Sequence, residues 1–529
     1  MTEGMLPRDV LALYPAHDET IPSLLLSRAT ANPDRPLLIF DRTTWTYAQV
    51  QAASDAMAQT FLNRGLGRQS RIATVALNSD IVLIIFLAIA KIGGLFVPLN
   101  PAQTDAELSY VLNHSRPAAI LVQPDDLARV KGLAADISSN PWIVSTAEIG
   151  HEKAASPQAF PAISPADPAV VIYTSGTTGY PKGVVHSHRN YVLAAEAFVE
   201  RMHLQPSDRL FTVLPFFHIN ALFYSWGGAL AAGAALVTTA KFSASKMWQI
   251  AAETGATQFN ILAAVGTILA NRPRSEFEPS HQIRKIYGGP ISAEMYRVFH
   301  DEFHVPMMIE GYGMSEIPGA CNNPFDGPQK IGSIGLPARH PRLPGTFAEC
   351  KVVSDAGEEV PVGEMGELIV KTPIVTLGYL DDPEQTSAAI RDGWFWTGDY
   401  VKRDEDGYYY FIARKRDIIR RRGENISGAE LDRILCEHPD ILEAATIGVP
   451  SELGDEEIMA VLVAKSSVPP APQDIIAWCA ERLAAMKIPR FVVYIDALPH
   501  TSSHRVAKFR LKADTSLAGK AWDRQAGGD

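Results

Sequence analysis

The sequence is poor in cysteine and lacks an apolar run long enough to cross a membrane. Its four cysteines are scattered without CxxC spacing, which excludes a disulfide framework and a cysteine zinc site and fits a reducing cytoplasm. The longest apolar run, IVLIIFLAIA at residues 81–90, is about half as long as a membrane span, so we predict a buried helix there. The amino terminus also lacks the basic and apolar segments of a secretory signal.

The chain has no excess of positive charge. Its 48 lysines and arginines are outnumbered by 59 aspartates and glutamates, for a net charge of −11, which excludes nucleic-acid or anionic-membrane binding driven by overall charge. We therefore expect no nucleic-acid partner, no transmembrane segment and a cytoplasmic location, and any anionic ligand must meet local cations. With 529 residues, 47% of them hydrophobic, the chain is long enough for more than one domain.

Helical and strand patterns alternate from about residue 20. Val50, Ala53, Met57 and Phe61 recur at helical spacing before a glycine, and the run RIATVAL then predicts a buried strand. The alternation predicts an α/β fold with mixed or parallel sheets covered by helices. Further short apolar strands are predicted at residues 169–175, 209–215, 234–239, 283–289 and 305–313.

The pattern changes after about residue 345 to short strands and turns, with Asp355-Ala-Gly357 as a hairpin signal. From about residue 417 a strand, a helix and further strands follow, which predicts a small α+β domain. The sharpest boundary is the charged stretch Arg414-Lys-Arg-Asp417 between two apolar strands. We therefore predict a large amino-terminal domain over residues 1–415 and a small carboxy-terminal domain over 416–529.

The strongest local motif is YTSGTTGYPKG at residues 173–183. It follows an apolar strand and combines hydroxyl side chains, glycines and a lysine, which suits a loop whose backbone N–H groups and hydroxyls wrap a polyphosphate. The spacing differs from the Walker pattern, and the strand and the lysine argue against an ordinary Ser/Gly turn. The candidate phosphate-binding residues are Thr174, Ser175, Gly176, Thr177, Thr178, Gly179 and Lys182.

This loop resembles the phosphate-binding signature of the adenylate-forming superfamily, which comprises acyl-CoA synthetases, luciferases and adenylation domains. Three further motifs occur in the order typical of that family: GYGMSE at 311–316, WTGD at 396–399 and ARKRDIIRRRGENISGAE at 413–430. The resemblance covers nearly the whole chain and extends to crotonobetaine/carnitine-CoA and fatty-acid-CoA ligases. It implies a large amino-terminal domain of helix-covered sheets with a small β-barrel-like part, and a small mobile α+β carboxy-terminal domain.

The resemblance also implies which residues hold the nucleotide. Glu316 would be the carboxylate ligand of the Mg2+ that bridges the ATP phosphates, and Ser315, where the family usually has threonine, would contact the α-phosphate. Tyr312 would stack on adenine, with Gly288 and Gly289 leaving room for the base. The implied set is completed by Gly311, Gly313, Asp399 and Arg414, the last two for the ribose hydroxyls.

The reaction implied by the family has two halves. A carboxylate attacks the α-phosphorus of ATP to give an acyl-adenylate and pyrophosphate, and the thiol of coenzyme A then displaces AMP. Positioning and charge neutralisation by Mg2+, Lys182 and a second cation would dominate the first half. Between the halves the carboxy-terminal domain of this family rotates about a hinge, which corresponds here to Arg416-Asp417.

The turn RRRGENIS at 420–427 fits the second half. Gly423 permits a tight turn before Glu424, and arginines among residues 420–422 would meet the phosphates of coenzyme A. Which of the three does so is open, and Arg422 is the candidate we carry forward. A nuclear-localisation or nucleic-acid patch is the weaker interpretation of RKRDIIRRR, because these cations already have an anionic ligand on an acidic chain.

The acyl pocket implied by the family lies around His218, Ala263, Gly311 and Met314. The segment NILAAVG at 260–266 is small and apolar, which favours a small to medium apolar carboxylic acid over a highly charged one. The chain length of the acid does not follow. A structural role for His218 stays open as well, since a lone histidine is more often structural than functional.

The stretch LPHTSSHRVAKFR at 498–510 aligns with a family loop whose lysine bridges the substrate carboxylate and the α-phosphate. That position holds Arg505 here, preceded by His504 where glycine is usual, and an arginine fork does not replace an ammonium group conservatively. Lys508 is the alternative. On a strand through residue 505 it would point to the opposite face, so we favour Arg505.

Three alternative functions stay open. A stand-alone adenylation enzyme would load a carrier protein, and we expect no fused carrier because only 17 residues follow Lys512. A luciferase-like oxygenase would share every ATP motif, and a nucleotide or acyl-adenylate binding protein with weak turnover is suggested by Arg505 alone. The preferred prediction is an ATP-dependent acyl-CoA synthetase acting on a small to medium carboxylic acid, with a homodimer as the candidate assembly.

Overall fold

The computed structural model describes residues 4–135, 137–149, 158–174, 181–343, 345, 347–421, 424–451, 456–500 and 506–526. The chain divides into two compact units. The first comprises the described parts of Met1–Thr174, Pro181–Cys350 and Val370–Phe395, and the second comprises those of Lys351–Ile369 and Trp396–Asp529. The domain boundary predicted at residue 416 and the hinge beside it stay predictions.

A nine-stranded sheet runs through the first unit. Its six central strands are parallel neighbours, so helical crossovers must connect them. Trp248, Phe259, Ile286 and Phe299 belong to the buried core of this sheet. In spatial order the strands are Leu336–Pro337, Ile317–Asn322, Met307–Met314, Lys285–Gly288, Gln258–Asn260, Arg209–Thr212, Ala235–Thr238, Pro36–Phe40 and Thr43–Thr46.

A second sheet of this unit has seven strands. The predicted strand at 169–175 is Pro168–Thr174, and it pairs antiparallel with Lys182–Ser187, so the two ends of the phosphate motif are paired. The other predicted apolar strands are confirmed as well. A near-continuous apolar run predicts such strands because they are buried on both faces of a parallel sheet. In spatial order the strands are Gly378–Tyr379, Lys182–Ser187, Pro168–Thr174, Leu95–Leu99, Arg71–Val75, Ala119–Val122 and Trp142–Ser145.

The helix predicted at the longest apolar run is confirmed as Asp80–Lys91, and every residue from Val82 onward is buried. Ser79 caps its first turn and Lys91 reaches Asp55 at 2.6 Å. No helix in the part of the chain that is described combines the length and apolarity that a membrane crossing needs. The other helices of this unit are Pro7–Ala12, Ile21–Ala31, Tyr47–Asn63, Asp105–Ser115, Leu127–Leu133, His188–Met202, Asn220–Trp226, Gly227–Ala232, Met247–Thr254, Ala263–Ala270, Ala293–Arg297, Val298–Glu302 and Pro383–Ala389.

The second unit contains short strands followed by an α+β segment, as the sequence predicts. A five-stranded sheet forms where the sequence predicts a β-barrel-like part, and its strands are Glu349–Val353, Met365–Lys371, Ile390–Arg391, Trp394–Arg403 and Tyr409–Arg414. A hairpin of Ile418–Arg421 and Glu424–Ser427 follows. The last sheet consists of Ile441–Pro450, Glu456–Ala464, Phe491–Tyr494 and Trp522–Asp523, and the helices are Gly428–Cys436, Pro472–Ala480, Lys508–Ala513 and Ser516–Lys520.

Candidate active site

The phosphate motif begins and ends on two paired strands of the first unit. Thr174 lies opposite Lys182 in the antiparallel register. The Lys182 ammonium group lies 5.1 Å from the centre of the Tyr379 ring, a distance typical of a cation–π contact. The two described members of the predicted set therefore lie side by side. The predicted residues Ser175, Gly176, Thr177, Thr178 and Gly179 lie outside the described part of the chain.

The carboxylate predicted as the Mg2+ ligand lies in the same neighbourhood. Glu316 is buried, and its Oε1 accepts a 2.9 Å hydrogen bond from the Tyr379 hydroxyl. The Glu316 carbonyl accepts from the N–H of Thr376 at 2.8 Å. Burial and the adjacent Glu316 carboxylate raise the pKa of Tyr379, which keeps its hydroxyl protonated as a donor. Tyr379 thus contacts both Glu316 and Lys182, the two predicted catalytic residues of this unit.

A buried histidine holds the backbone of the GYGMSE motif. His186 lies on the strand that begins with Lys182, and its Nε2 is 2.6 Å from the carbonyl of Ser315. Burial lowers the pKa of His186 to about 4, so the neutral ring donates from Nε2, and its Nδ1 accepts from Asn190 at 3.3 Å. No motif in the sequence points to either residue, because His186 lies inside an otherwise ordinary strand pattern.

The GYG part of the motif lies at the end of the strand Met307–Met314. Its two glycines, Gly311 and Gly313, face the same side of that strand. Gly311 and Gly313 alternate with Tyr312, which pairs with Cys321 on the next strand. A Cβ on Gly311 would lie 2.5 Å from the Tyr287 hydroxyl, and one on Gly313 would lie 2.5 Å from a backbone nitrogen. Glycine is therefore required at both positions by close packing, while Tyr312 and Met314 are half-buried at the same strand end.

The glycines predicted to leave room for adenine are packed against neighbouring backbone. A Cβ on Gly288 would lie 2.7 Å from the carbonyl oxygen of Ile261, and one on Gly289 would lie 2.9 Å from that of Gly311. The packing of adjacent strands therefore accounts for glycine here. The adenine-binding roles of Gly288, Gly289 and Tyr312 stay predictions.

The predicted acyl-pocket residues lie near the ends of two helices. His218 is half-buried, and its carbonyl accepts from Leu222 in the first turn of Asn220–Trp226. Ala263 begins the helix Ala263–Ala270 and is also half-buried. Both belong to the same unit as Gly311 and Met314, and their roles toward an acid stay predictions.

Two predicted ribose-binding residues form an ion pair within the second unit. Asp399 and Arg414 are register partners on adjacent strands, and Arg414 Nε lies 2.9 Å from Asp399 Oδ1. The Asp399 side chain is fully buried, and its backbone N–H donates to the Thr397 hydroxyl at 3.0 Å. The pair gives this strand end a fixed acceptor beside a fixed donor, which is what two vicinal hydroxyls can bind.

One of the three arginines predicted to meet coenzyme A is held in a buried ion pair. Arg421 pairs with Glu457 at 2.7 Å, with both side chains 3% exposed. It also donates to the carbonyls of Met486 and Ile488. A buried pair of this kind is a structural element of the unit. The exposed Arg420 therefore stays a candidate, as does Arg422. The predicted residues Arg422 and Gly423 lie outside the described part, and Glu424 begins the strand Glu424–Ser427.

The two candidates for the catalytic cation differ in their surroundings. Lys508 begins the helix Lys508–Ala513, so the expectation that it lies on a strand with residue 505 is wrong. Its ammonium group lies 2.6 Å from Asp432 Oδ2, with the lysine side chain 12% and the aspartate 23% exposed. Burial raises the pKa of Asp432 and Lys508 opposes that effect. Lys508 therefore has a structural partner in its own unit, which favours Arg505, a residue outside the described ranges.

Replacing Lys508 by alanine is expected to lower the free energy of unfolding by about 2–3 kcal/mol, because it leaves the Asp432 carboxylate buried without a counter-charge. Urea unfolding monitored by circular dichroism measures the loss. Lys512→Ala is the matched control, since Lys512 lies 3.8 Å from Glu456 with both side chains one-third exposed, and such pairs contribute about 1 kcal/mol or less. Equal stability of the two variants would contradict a structural role for Lys508.

Glu310, directly before the GYG strand end, is a buried acid that no sequence motif indicates. Its side chain is 6% exposed, and burial raises its pKa from 4.5 to about 7, with backbone N–H groups of Ile291 and Gly332 opposing the shift. A carboxyl whose folded pKa is raised binds more protons in the folded state between the two values. Its contribution to stability is therefore complete below pH 4.5 and is lost as the pH rises through 7.

Wild type is accordingly expected to lose up to about 3 kcal/mol of stability relative to Glu310→Gln between pH 5 and pH 8. The measurement is urea unfolding of both proteins at each pH. Glu148→Gln, at an exposed glutamate, controls for a general effect of neutralising one acid. A constant difference between wild type and Glu310→Gln across this range would contradict the raised pKa of Glu310.

The chain matches known families over most of its length. A profile described as AMP-binding enzyme matches residues 25–380, and one described as AMP-binding enzyme C-terminal domain matches residues 430–505. The sulfoacetate–CoA ligase of Cupriavidus necator is 32% identical over 505 residues, which are 93% of this chain and 97% of that protein. The indoleacetate–CoA ligase of Aromatoleum aromaticum is 31% identical, with 91% and 95% of the two chains covered.

A solved structure agrees with these matches. The o-succinylbenzoate CoA synthetase of Bacillus subtilis, in complex with its acyl-adenylate intermediate, has a TM-score of 0.83 at 26% identity, covering 92% of this chain and 97% of that one. The predicted α/β fold class and the predicted superfamily are confirmed. The chain therefore belongs to the AMP-binding enzyme family.

Proposed function

We propose that this protein is an ATP-dependent acyl-CoA ligase that converts a small carboxylic acid, ATP and coenzyme A into an acyl-CoA, AMP and pyrophosphate through an acyl-adenylate. The observation that carries the proposal is the cluster of Lys182, Tyr379 and Glu316 where the phosphate motif meets the GYGMSE motif. A polyphosphate with its metal ion needs a cation for the phosphate charge and a carboxylate for the metal, and here both side chains contact the Tyr379 phenol. The relatives of this family that are named as CoA ligases support the same reaction.

The residues present fit a magnesium ion that arrives with the nucleotide. The described ranges contain no group of three His, Cys, Asp or Glu side chains that would hold a metal by themselves. Mg2+ is usually bound by one or two carboxylates together with substrate phosphates and water, which suits Glu316 as the only protein carboxylate we assign. When bound, the ion would neutralise phosphate charge. His186 and Thr376 would fix the backbone on either side of this ligand.

The chain's own residues would act mainly by positioning and charge. Lys182 would neutralise phosphate oxygens, Tyr379 would keep the Glu316 carboxylate in one orientation, and Tyr312 would stack on the base. Asp399 and Arg414 would bind the ribose hydroxyls. We propose that Arg505 meets the substrate carboxylate and the α-phosphate during adenylation. In the second half, Arg420 or Arg422, with the turn at Gly423 and Glu424, would meet coenzyme A after rotation about Arg416-Asp417.

Purified protein incubated with ATP, Mg2+, coenzyme A and a panel of carboxylic acids tests the proposal. We expect AMP and a CoA thioester, detected by mass spectrometry, only when all components are present. Pyrophosphate release without a thioester would instead identify a carrier-loading enzyme, and consumption of oxygen would identify an oxygenase. Binding of ATP without release of pyrophosphate for any acid would contradict catalysis.

We also propose a cytoplasmic location and a homodimer. The location is supported by the four free cysteines, of which Cys321 and Cys479 are buried, since thiols persist in a reducing compartment. Light scattering coupled to size-exclusion chromatography tests the assembly, and fractionation of the source cells tests the location.

A further inference from the structure

Two of the four cysteines form a thiol pair in the first unit. The Sγ atoms of Cys321 and Cys350 lie 3.5 Å apart, although the two residues are separated by 29 positions in the chain. Both are free thiols, and the distance is that of unbonded sulfur atoms in contact. A disulfide bond between them would require the sulfurs to approach each other by about 1.5 Å.

Backbone hydrogen bonds through Ala338 hold together the segments that carry the two cysteines. The Ala338 N–H donates to the carbonyl of Ala320, directly before Cys321, at 2.9 Å. The Ala338 carbonyl accepts from the N–H of Ala348, two residues before Cys350, at 3.1 Å. All three alanines are buried. The contact between the thiols therefore follows from the path of the main chain, and a change of one surface rotamer does not remove it.

The two thiols differ in exposure and in protonation. Cys321 is fully buried, whereas Cys350 is half-buried and partly open to solvent. The hydrogen bond with Cys350, together with burial, raises the pKa of Cys321 well above its usual value, so this thiol stays protonated. An oxidant in solution therefore reaches Cys350 first, and Cys321 is placed to react with the oxidised sulfur.

Metal binding is the other common chemistry of paired cysteines. Within the part of the chain that the structure describes, no three His, Cys, Asp or Glu residues form a group that could hold a metal ion, and a structural zinc site needs four such ligands. Oxidation is therefore the chemistry that this pair supports. In a reducing compartment a disulfide is usually transient and serves catalysis or redox sensing.

The pair lies beside the GYG strand end of the candidate site. Cys321 is the register partner of Tyr312 on the adjacent antiparallel strand, and residues in such pairs have Cβ atoms about 5 Å apart. The hairpin is closely packed, because a Cβ on Gly313 would lie 2.5 Å from the backbone nitrogen of Gly319. A displacement of Cys321 is therefore passed to Tyr312, since a close-packed interior transmits strain.

We propose that Cys321 and Cys350 form a peroxide-sensitive modification site, whose disulfide weakens the binding of a nucleotide beside Tyr312. In the first step the Cys350 sulfur attacks hydrogen peroxide, the O–O bond breaks, and a sulfenic acid and water form. In the second step the Cys321 sulfur displaces the hydroxyl group of the sulfenic acid. The S–S bond forms, and the thiol proton of Cys321 leaves with that hydroxyl group as a second water.

The two sulfurs together lose two electrons, which reduce one peroxide to two waters, and a dithiol reductant reverses the change. Closing the bond draws the strand Ile317–Asn322 toward Cys350 and with it shifts Tyr312. The effect on the nucleotide rests on the role that the proposed function gives to Tyr312. The formation of the disulfide does not depend on that role.

Mass spectrometry of the full-length protein treated with hydrogen peroxide tests the site directly. After alkylation and digestion we expect a cross-linked peptide pair containing Cys321 and Cys350, which separates on reduction with dithiothreitol. Cys350→Ser is expected to protect the buried Cys321 from oxidation. Cys321→Ser is expected to leave a sulfenic acid on Cys350 that dimedone traps. Cys436→Ser is the matched control, because it removes an exposed thiol of the second unit and is expected to leave the yield unchanged.

Calorimetric titration of ATP into reduced and oxidised protein tests the effect on the candidate site. We expect the Kd for ATP to rise by about 10-fold on oxidation, within the usual range of coupling between two sites, and to recover after reduction. Cys350→Ser and Cys321→Ser are expected to have the same Kd before and after peroxide. If Cys321→Ser does not fold, Cys350→Ser decides, because Cys350 is only half-buried.

Three results would overturn the proposal. These are oxidation of Cys436 without a cross-link between Cys321 and Cys350, a cross-linked protein with the ATP affinity of the reduced one, and a loss of affinity that persists in Cys350→Ser. Failure of the reduced protein to bind ATP would instead overturn the proposed function. In that case the cross-linked peptides would still decide whether the thiol pair is a site of oxidation.

Discussion

Replacing Arg505 by alanine is expected to slow acid-dependent pyrophosphate release by about 100- to 1,000-fold, the effect of removing one group that stabilises developing charge at a reacting centre. The reaction brings a carboxylate and a triphosphate together, so a cation between them lowers the barrier directly. Release of pyrophosphate is measured in a coupled assay at saturating ATP. The reaction of a separately prepared acyl-adenylate with coenzyme A is expected to change little, because that half does not join the two anions.

Lys508→Ala is the control for this experiment. Its ammonium group is engaged by Asp432, so we expect pyrophosphate release per folded molecule to stay within a few-fold of wild type. A loss confined to Lys508→Ala would transfer the catalytic role to Lys508 and contradict the assignment of Arg505. Arg505→Lys is informative as well, since a compact ammonium group and a planar fork meet a phosphate differently.

Replacing Glu316 by glutamine is expected to reduce pyrophosphate release by about 100-fold or more at ordinary Mg2+ concentrations, because an amide oxygen is a weaker ligand than a carboxylate for a hard cation. Glutamine keeps the shape of the side chain and can still accept the hydrogen bond from Tyr379. The measurement is the dependence of the rate on Mg2+ concentration. We expect the half-saturating concentration to rise by more than about 10-fold.

Tyr379→Phe tests the contribution of the hydrogen bond that orients Glu316, without changing Glu316 itself. It removes the 2.9 Å hydrogen bond to Glu316 while keeping the ring beneath Lys182, so we expect a loss of about 10-fold, the range of one hydrogen bond. A Glu316→Gln enzyme with the Mg2+ dependence of wild type would contradict the assignment of Glu316 as the ligand.

The order of strands and helices was open to prediction because each is specified by a local pattern. The apolar run at 81–90 is longer than most buried strands, which favours a helix within a core, and it forms Asp80–Lys91. The strand before the phosphate motif is as apolar as a buried strand requires, and it forms Pro168–Thr174. The motif at 311–316 likewise reveals its tyrosine, serine and glutamate by their order and spacing.

The hydrogen-bond partners of Glu316 and Ser315 could not be predicted from local sequence patterns. Tyr379 lies 63 positions after Glu316, and His186 lies 129 positions before Ser315. Neither pair shares a helix face or a strand period, so no local pattern connects them. The same holds for Lys508, where the expected strand is replaced by a helix and a distant aspartate engages the ammonium group.

The sequence by itself determined the family and the α/β class, and it predicted the phosphate, nucleotide and hinge motifs, because short-range patterns and ordered motifs carry that information. Only the tertiary structure decided which of the described cations are paired with buried carboxylates. Arg421 forms an ion pair with Glu457, and Lys508 forms one with Asp432. Arg201 lies beside the rings of Tyr224 and Tyr287. The physical reason is that the effect of a charge depends on its burial and on the groups beside it, and folding alone brings those groups together.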